Sequence, residues 1–509
     1  MARVLFVSTG VFENLGIEYL SAHLKARGHA VGLVIEPLLF QDVFFQSKTL
    51  AALLDSRETI LAGVAAFSPD IICFSVVTDN YQRALALAGA IRRRTKAFIV
   101  FGGIHPTLAP ATVIKNSCLD AVCVGEGETA LTELADSFDA GAVRTNINNI
   151  WFKGQSGVIK NPLAPINSDL NDLSFPDKEI YYAQNPVYKK TYMAITSRGC
   201  HFDCSYCSNH SLRKIYGKSH VRKRTPDNVI RELSLAKEKY APEYVWFVDD
   251  MFFWSEDWLK EFCESYRQQV NLPFFCYLHP TSVTESVVRL LKDANCYEIG
   301  IGIQSIDPVS KSAVSRNESL GEIRSAMGVL KKNGILTITE NIVGLPRSSH
   351  ENLLELAGFY AENKPDLIIA NWLRLYPQTD LLEQEGQRFP DVPLERLVEN
   401  GTDTGMGWKL NVLNTALTKK AAILLESAGY LPATVISAIL YLNLYRYIPL
   451  WFGSLNRLAR IIKFSPLGGL FYPKATYDSG ARVYLQSFFY FAYKKVTGSL
   501  FGMKRAYKK

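Results

Sequence analysis

Acidic residues are scarce at one end of this chain. From Tyr430 to Lys509 there is one, Asp478, against 12 lysines and arginines. That stretch carries +11; with +7 for the whole 509-residue chain, the remainder carries −4. The basic character is therefore local, and a nucleic-acid-binding reading of the whole chain has little support. Long apolar runs are missing as well. The uncharged stretch Gly429 to Tyr445 is interrupted by Pro432 and does not read as a membrane span. There is no internal repeat and no low-complexity tract. The opening MARVLFVST lacks the ordered basic region, apolar core and cleavage site of a secretory leader, so the expected location is cytoplasmic and reducing. Nine cysteines in this length do not make a disulfide framework, and six of them are scattered: Cys73, Cys118, Cys123, Cys263, Cys276 and Cys296.

What is present is a chain long enough for about three domains, with an ordinary 48% of hydrophobic residues. Residues 1–140 alternate strand and helix patterns. ARVLFVST, HAVGLVIE, DIICFSVV, AFIVFGG and DAVCVGEGE are short apolar runs, and helical patterns such as GIEYLSAHLKARG lie between them. Continuous apolar strands of this kind predict an α/β fold with a doubly wound parallel sheet. Ligands of such sheets bind beyond the carboxyl ends of the strands. There the polar and glycine-rich turns fall: Ser75–Thr78, Gly102–Thr107 and Gly125–Glu128.

Residues 141–190 read as a linker with a small hairpin around Gly154–Gly157, followed by turn-forming Pro, Asn and Asp. Residues 191–400 alternate again. Six strand candidates, TYMAITS, EYVWFVDD, FFCYLH, EIGIGIQS, ILTITENIVGLP and LIIANWLRLYP, are separated by helical patterns, which suits a parallel barrel or partial barrel. Its active site is expected at the C-terminal ends of the strands. Residues 401–509 form a helical, basic and aromatic C-terminal extension.

Chemistry concentrates in SRGCHFDCSYCSN, just after the first barrel strand. Cys200, Cys204 and Cys207 follow the pattern Cys-x3-Cys-x2-Cys. Three thiolates so spaced can wrap one face of an iron–sulfur cubane, whose usual ligand count is four. With three, one iron keeps an open position able to bind and activate a small molecule. Zinc with His201 or His210 as fourth ligand, or three buried cysteines, are the other readings of the same residues.

Cys200, Cys204, Tyr206 and Cys207 match Cys-x3-Cys-x-aromatic-Cys, and here the segment resembles the radical S-adenosylmethionine enzymes. The resemblance implies a [4Fe-4S] cluster on the three cysteines, with S-adenosylmethionine chelated to the open iron and cleaved by one electron to a 5′-deoxyadenosyl radical. It places polar groups for the methionine amino group at Asp249 and Asp250. It sets Gln304 and Ser305 near the ribose, with Arg316 as the basic residue after that strand, and Val343 and Gly344 against the adenine. Tyr376-Pro377-Gln378-Thr379 resembles a late Pro-x-x-Thr turn, with Gln378 where the family usually has Gly.

The first segment is similar to the cobalamin-binding (B12-binding) domain that precedes one class of these enzymes. The stretch Val11–Gly16 stands for the family's Asp-x-His-x-x-Gly; Ser75-Val76-Val77 and Gly102-Gly103 stand for the other two motifs. Glu13 takes the place of the histidine, so the cobalt would have no imidazole from that position; His105 offers one in principle. By this resemblance Glu13, Asn14, Gly16, Ser75, Thr78, Gly102, Gly103, His105, Gly125, Glu126 and Gly127 make up the cobalamin set. The fold implied is a Rossmann-like sheet followed by a (β/α)6 partial TIM barrel.

The activity implied is radical chemistry at an unactivated carbon, with C-methylation foremost and oxidative cyclisation beside it; a non-catalytic electron-transfer protein is the reading from another class. An external one-electron donor of flavodoxin or ferredoxin type is implied, with a small-molecule or lipid-like substrate. Basic and apolar residues mixed in the tail suit peripheral contact with an anionic membrane; a helical cap on the barrel with a solvated basic face is the other expectation.

Overall fold

A computed structural model of the chain describes residues 1–41, 47–388, 393, 396, 398, 415–463 and 479–497. The chain forms two compact units. One comprises Met1–Ser168, Asp172–Lys189 and Val483–Lys509, the other Asp169–Asn171 and Lys190–Arg482.

The first unit is built on β1 (Arg3–Thr9), β2 (Ala30–Glu36), β3 (Ile71–Ser75), β4 (Phe98–Gly102), β5 (Ala121–Cys123), β6 (Ile150–Gly154) and β7 (Gly157–Lys160). Their order is β2-β1-β3-β4-β5-β6-β7. The first five are parallel, and β6 and β7 add an antiparallel edge. The stretch expected as a linker thus contributes two strands to this sheet. Val4, Leu5, Phe6 and Val7 are all buried in the interior strand β1, because helices cover both faces. Leu5, Val7, Ile72, Phe74, Ile99 and Phe101 share one core with the helices Arg57–Phe67 and Tyr81–Arg92. The helix Leu15–Ala26 packs with the helix Glu128–Asp139. The chain leaves β1 toward β2 on one side and returns to β3 on the other. The turns after β1 and β3 therefore flank the topological switch point, where open α/β sheets bind ligands.

The second unit holds six parallel strands, β8 (Thr191–Ala194), β11 (Tyr244–Phe247), β12 (Phe274–Leu278), β13 (Cys296–Gln304), β14 (Leu336–Val343) and β15 (Leu367–Trp372), in the order β15-β14-β13-β12-β11-β8. A short antiparallel pair, β9 (Ser197–Arg198) with β10 (Arg222–Lys223), sits beside the cysteine loop. Side chains alternate along the strands. Val245, Phe247, Phe274, Cys276 and Leu278 meet the helices in the main core, whereas Tyr244, Phe275, Ile338 and Leu367 form a second cluster. Gly300 is required on β13, since a Cβ there would come within 2.6 Å of the Tyr277 ring. The helices start on strong caps. Thr225 accepts from the Asn228 amide ahead of Pro226, and Ser319 with Glu322 forms a capping box.

The C-terminal segment is divided between the units. Helices Ala416–Ser427, Ala433–Tyr441 and Phe452–Lys463 belong to the second. The helix Ser479–Val496 enters the first at Val483, where Tyr484 meets Phe12, Phe488 meets Phe40, and the Asn185 amide donates to the Ser487 hydroxyl at 2.9 Å. The boundary expected near Gly401 lies outside the described residues.

Candidate functional site

The cysteine loop leaves β9 at Gly199, whose φ of +86° and close passage over His220 exclude a side chain; a Cβ would lie 2.6 Å from the His220 carbonyl. Cys200, Cys204 and Cys207 follow within eight residues. Cys207 caps the helix Ser208–Tyr216, so its sulfur lies at the positive end of a helix dipole. The Cys207 amide donates to the Cys204 carbonyl at 3.0 Å. Arg213 reaches back from the same helix and donates to the carbonyls of Cys200, at 3.0 Å, and His201, at 2.6 Å. Burial pushes the Cys200 and Cys207 thiols up to about 11. A metal must therefore displace their protons on binding.

Neither nearby histidine joins the thiols. His201 is exposed and lies against Trp254, with ring centroids 4.5 Å apart. His210 is held between two carboxylates, Asp203 at 2.6 Å and Asp380 at 3.0 Å. Among the described residues no three His, Cys, Asp or Glu side chains converge as a site for a single metal ion. A cubane spreads its thiolates over separate irons, and three soft sulfurs on one loop fit that group.

The residues expected around S-adenosylmethionine fall at or after the carboxyl ends of β11, β13 and β14, but with different commitments. Asp249 is buried and saturated. It accepts from the Thr196 amide at 2.9 and 3.0 Å, from the Thr196 hydroxyl at 2.8 Å and from the Ser197 hydroxyl at 2.5 Å. It ties down the turn that leads into the cysteine loop. Asp250, beside it, is exposed at its surface and bonded to the Asn209 side chain; desolvation by the protein packed around it, with the neighbouring Asp249 charge, raises its carboxyl above the usual range. Gln304 adopts φ +63° where the β13–β14 register shifts, an unusual conformation for a non-glycine residue. Ser305 is buried, and its hydroxyl accepts from the Asp307 amide at 3.1 Å. Val343 is buried at the end of β14, and Gly344 turns the chain with φ +89°. Arg316 is buried over the loop. It bonds Glu318 at 2.7 and 2.8 Å and the Gly302 carbonyl, and points Nη1 at the Cys204 Sγ, 3.8 Å away. Gln378 holds φ +58°, so the glycine-like backbone persists where the residue type does not.

In the first unit, Asn14 caps the helix Leu15–Ala26 and donates to the Ser75 hydroxyl at 3.2 Å, joining the turns after β1 and β3. Gly103, with φ +100°, passes so close to Val76 that a Cβ would meet its carbonyl at 2.8 Å. The Gly125 amide donates to Thr107 at 2.9 Å, Glu126 accepts from Asn149 at 2.8 Å, and Gly127 caps the helix Glu128–Asp139. Gly16 lies in the first turn of its helix, where a Cβ would come within 3.1 Å of the Asn14 side-chain oxygen, and Gly102 ends β4. These small residues and backbone amides at the switch point fit a bulky ligand approached by backbone.

Three members of the expected cobalamin set face inward instead. Glu13 is buried 3.5 Å from Lys178, which also pairs with buried Glu18 at 2.7 Å. His105 is buried, its Nδ1 3.1 Å from the hydroxyl of buried Thr78 and its ring 4.1 Å from that of Tyr81. Burial brings the His105 imidazole down to about 4. The Glu13 carboxyl thus lies against a buried ammonium, and the His105 imidazole packs under a tyrosine with its Nδ1 bonded to Thr78. The residues present fit cobalamin held without either as a cobalt ligand.

Two residues not singled out from the sequence also adjoin the loop. His279, at the end of β12, stacks on Phe202 with centroids 3.8 Å apart. Lys223 on β10 lies 3.5 Å from the Trp258 ring centroid and donates to the Phe252 carbonyl at 2.8 Å; burial, opposed by Asp249, brings its ammonium down to about 7. Lys223 pairs with Ser197 across two short strands, so no local spacing announces it.

Two family models match the chain: the B12 binding domain over residues 3–135 and the Radical SAM superfamily over residues 194–360. The chain is 26% identical over 395 residues to the anaerobic magnesium-protoporphyrin IX monomethyl ester cyclase of Rubrivivax gelatinosus, covering 75% of this chain and 67% of that protein. It is 22% identical over 393 residues to the hopanoid C-3 methylase of Methylococcus capsulatus, covering 74% and 69%. Its fold matches the cobalamin-dependent S-adenosylmethionine radical enzyme OxsB, solved with aqua-cobalamin bound, with a TM-score of 0.62 at 15% identity over 97% of this chain and 84% of that one. With both domains matched in sequence and the two-unit fold matched in structure, the chain belongs to the radical S-adenosylmethionine enzymes that carry a B12-binding domain.

Proposed function

We propose that this enzyme methylates an unactivated carbon of a small or lipid-like molecule. When bound, the cluster, S-adenosylmethionine and cobalamin supply the electron, the hydrogen-abstracting radical and the methyl group. The protein's part is holding and positioning. Cys200, Cys204 and Cys207 hold the iron, and Arg213 and Asp249 fix the loop that carries them. Exposed Asp250, with Asn209, is the polar group available to a methionine amino group, while Gln304, Ser305, Val343 and Gly344 line the neighbouring strand ends. Arg316 sets a positive charge beside Cys204. Asn14, Ser75 and the glycines of the first unit serve cobalamin.

The observation that carries the reading is the engagement of His201 with Trp254 and of His210 with Asp203 and Asp380, which leaves three sulfurs as the loop's own ligand set. The hopanoid C-3 methylase supports methyl transfer. The cyclase, aligned over a similar share of the chain, supports a second reading in which the same radical start leads to oxidative cyclisation without methyl transfer. An external flavodoxin- or ferredoxin-type donor supplies the electron in either case. A cytoplasmic place with peripheral membrane contact through the C-terminal extension completes the proposal.

The test is anaerobic turnover with reductant, S-adenosylmethionine and the metabolite that accumulates when the protein is lost. S-adenosylhomocysteine formed together with 5′-deoxyadenosine is the result expected for methylation. 5′-Deoxyadenosine without S-adenosylhomocysteine selects cyclisation, and neither product rejects both.

A further inference from the structure

Between Glu426 and Asp478 the chain has no acidic residue and five basic ones, Arg446, Arg457, Arg460, Lys463 and Lys474. Within this stretch the second unit forms the helix Ala433–Tyr441, a tight 3-10 turn at Leu444–Tyr447 and the helix Phe452–Lys463. One side of this hairpin is anchored. Ile436 and Tyr445 are buried in the main core of the unit. The Asn456 amide donates to the Ile423 carbonyl at 2.9 Å, and its oxygen accepts from the Ser427 hydroxyl at 3.1 Å. Lys420 donates to the Arg446 carbonyl.

The other side is apolar and open. Tyr441 is 86% exposed, Tyr447 79% and Trp451 63%, with Leu442, Leu444 and Leu450 exposed among them. An isolated exposed leucine or tyrosine is ordinary. Six large apolar side chains within eleven residues, on a turn pinned from behind by core contacts, make a surface built to be covered.

We propose that this turn docks on an anionic lipid surface. Tyrosine and tryptophan combine an apolar ring with a polar tip, and they concentrate where hydrocarbon meets headgroups. Leucines beside them enter the acyl boundary, and Arg446 on the same turn meets the headgroups. Anionic headgroups attract each nearby Lys or Arg and repel acids, so an acid-free run fits a membrane. A protein partner gives no reason to exclude acids over so long a stretch. The contact is peripheral: the helix Ala433–Tyr441 has nine residues, about 14 Å, against a hydrocarbon core of about 30 Å. This deepens the membrane contact in the proposed function. It rests on the fold rather than the reaction, so it can fail while the reaction reading stands.

Co-sedimentation of the full chain with vesicles of phosphatidylcholine, alone or mixed with phosphatidylglycerol, tests it without turnover. The expected result is binding to the anionic vesicles that weakens as salt rises. The combined variant Tyr447→Ser, Leu450→Ser, Trp451→Ser, checked for unchanged circular dichroism, should lose binding by roughly tenfold or more. Arg446→Glu should weaken it several-fold on anionic vesicles only. Absence of binding by the unaltered chain, or unchanged binding by the triple variant, overturns the proposal. So does a dimer that the triple variant abolishes in a chain that binds no vesicles, which would assign the turn to a second copy. If the triple variant does not fold, Arg446→Glu decides: unchanged binding to anionic vesicles overturns the proposal.

Discussion

The Arg316 guanidinium lies 3.8 Å from the Cys204 sulfur, and Glu318 and the Gly302 carbonyl hold it there. Its donors are committed to Glu318, the Gly302 carbonyl and the Cys204 sulfur. With Cys204 as the proposed cluster ligand, Arg316 would act on the iron through that sulfur. A cation beside a cluster thiolate favours the reduced, more negative state, and hydrogen bonds to sulfur act in the same direction. Arg316→Gln should lower the cluster's midpoint potential by tens of millivolts, on a scale of about 59 mV per tenfold change for one electron. The Glu318 charge left behind adds to the same shift. Arg316→Lys should recover part of it. Potentiometry followed by electron paramagnetic resonance, at equal iron content, measures both.

Asp249 and Asp250 are neighbours with opposite environments, and their variants should differ in kind. Asp249→Asn turns an amide NH2 toward the Thr196 and Ser197 donors and leaves buried groups unsatisfied. A loss of about 1–3 kcal/mol follows, with poorer retention of iron. Asp250→Asn at an exposed position should leave the melting temperature nearly unchanged and weaken S-adenosylmethionine binding instead. Thermal unfolding and ligand titration, run on both variants, check the contrast.

Glu13 and Glu18 share the buried Lys178. Burial raises both carboxyls above the usual 4.5, Glu18 the more so. A raised carboxyl holds its proton more tightly in the folded than in the unfolded chain. Its contribution to stability is complete below the unfolded value and is lost as pH rises through the folded one. Lys178→Met removes the compensating cation and should cost about 3–5 kcal/mol at neutral pH. The deficit should widen upward from the unfolded carboxyl range and narrow below it. Melting temperatures of both proteins across pH read this directly.

Because Glu13 is packed against Lys178, Glu13→Gln should leave the visible spectrum of bound cobalamin unchanged. A shift of the cobalt bands would instead make Glu13 a ligand.

The legible parts of this protein were the local ones. Three cysteines in eight residues and strands buried on both faces leave marks within a few positions, and both sheets could be read from them. Gln378 shows the limit of such marks, since its backbone keeps a glycine's conformation under a different side chain. Contacts that bridge distant residues left no local trace. Arg316 and Cys204 are 112 residues apart, and Lys178 and Glu13 are 165 apart. The inward turn of Thr78 and His105 depends on Tyr81 packing over the imidazole, which no motif spacing encodes. The division of the tail was hidden for the same reason: Tyr484 and Phe488 look like any amphipathic helix until Phe12 and Phe40 meet them.

The central claim is that three cysteines hold a cluster that reductively cleaves S-adenosylmethionine. Its most direct test is 5′-deoxyadenosine formation by the anaerobically reconstituted, reduced protein. The account predicts 5′-deoxyadenosine from the unaltered chain and none from Cys200→Ala, Cys204→Ala or Cys207→Ala, each of which should lose iron while the first unit still binds cobalamin. A fully iron-loaded, reduced protein that forms no 5′-deoxyadenosine, or a cysteine variant that still forms it, would contradict the claim.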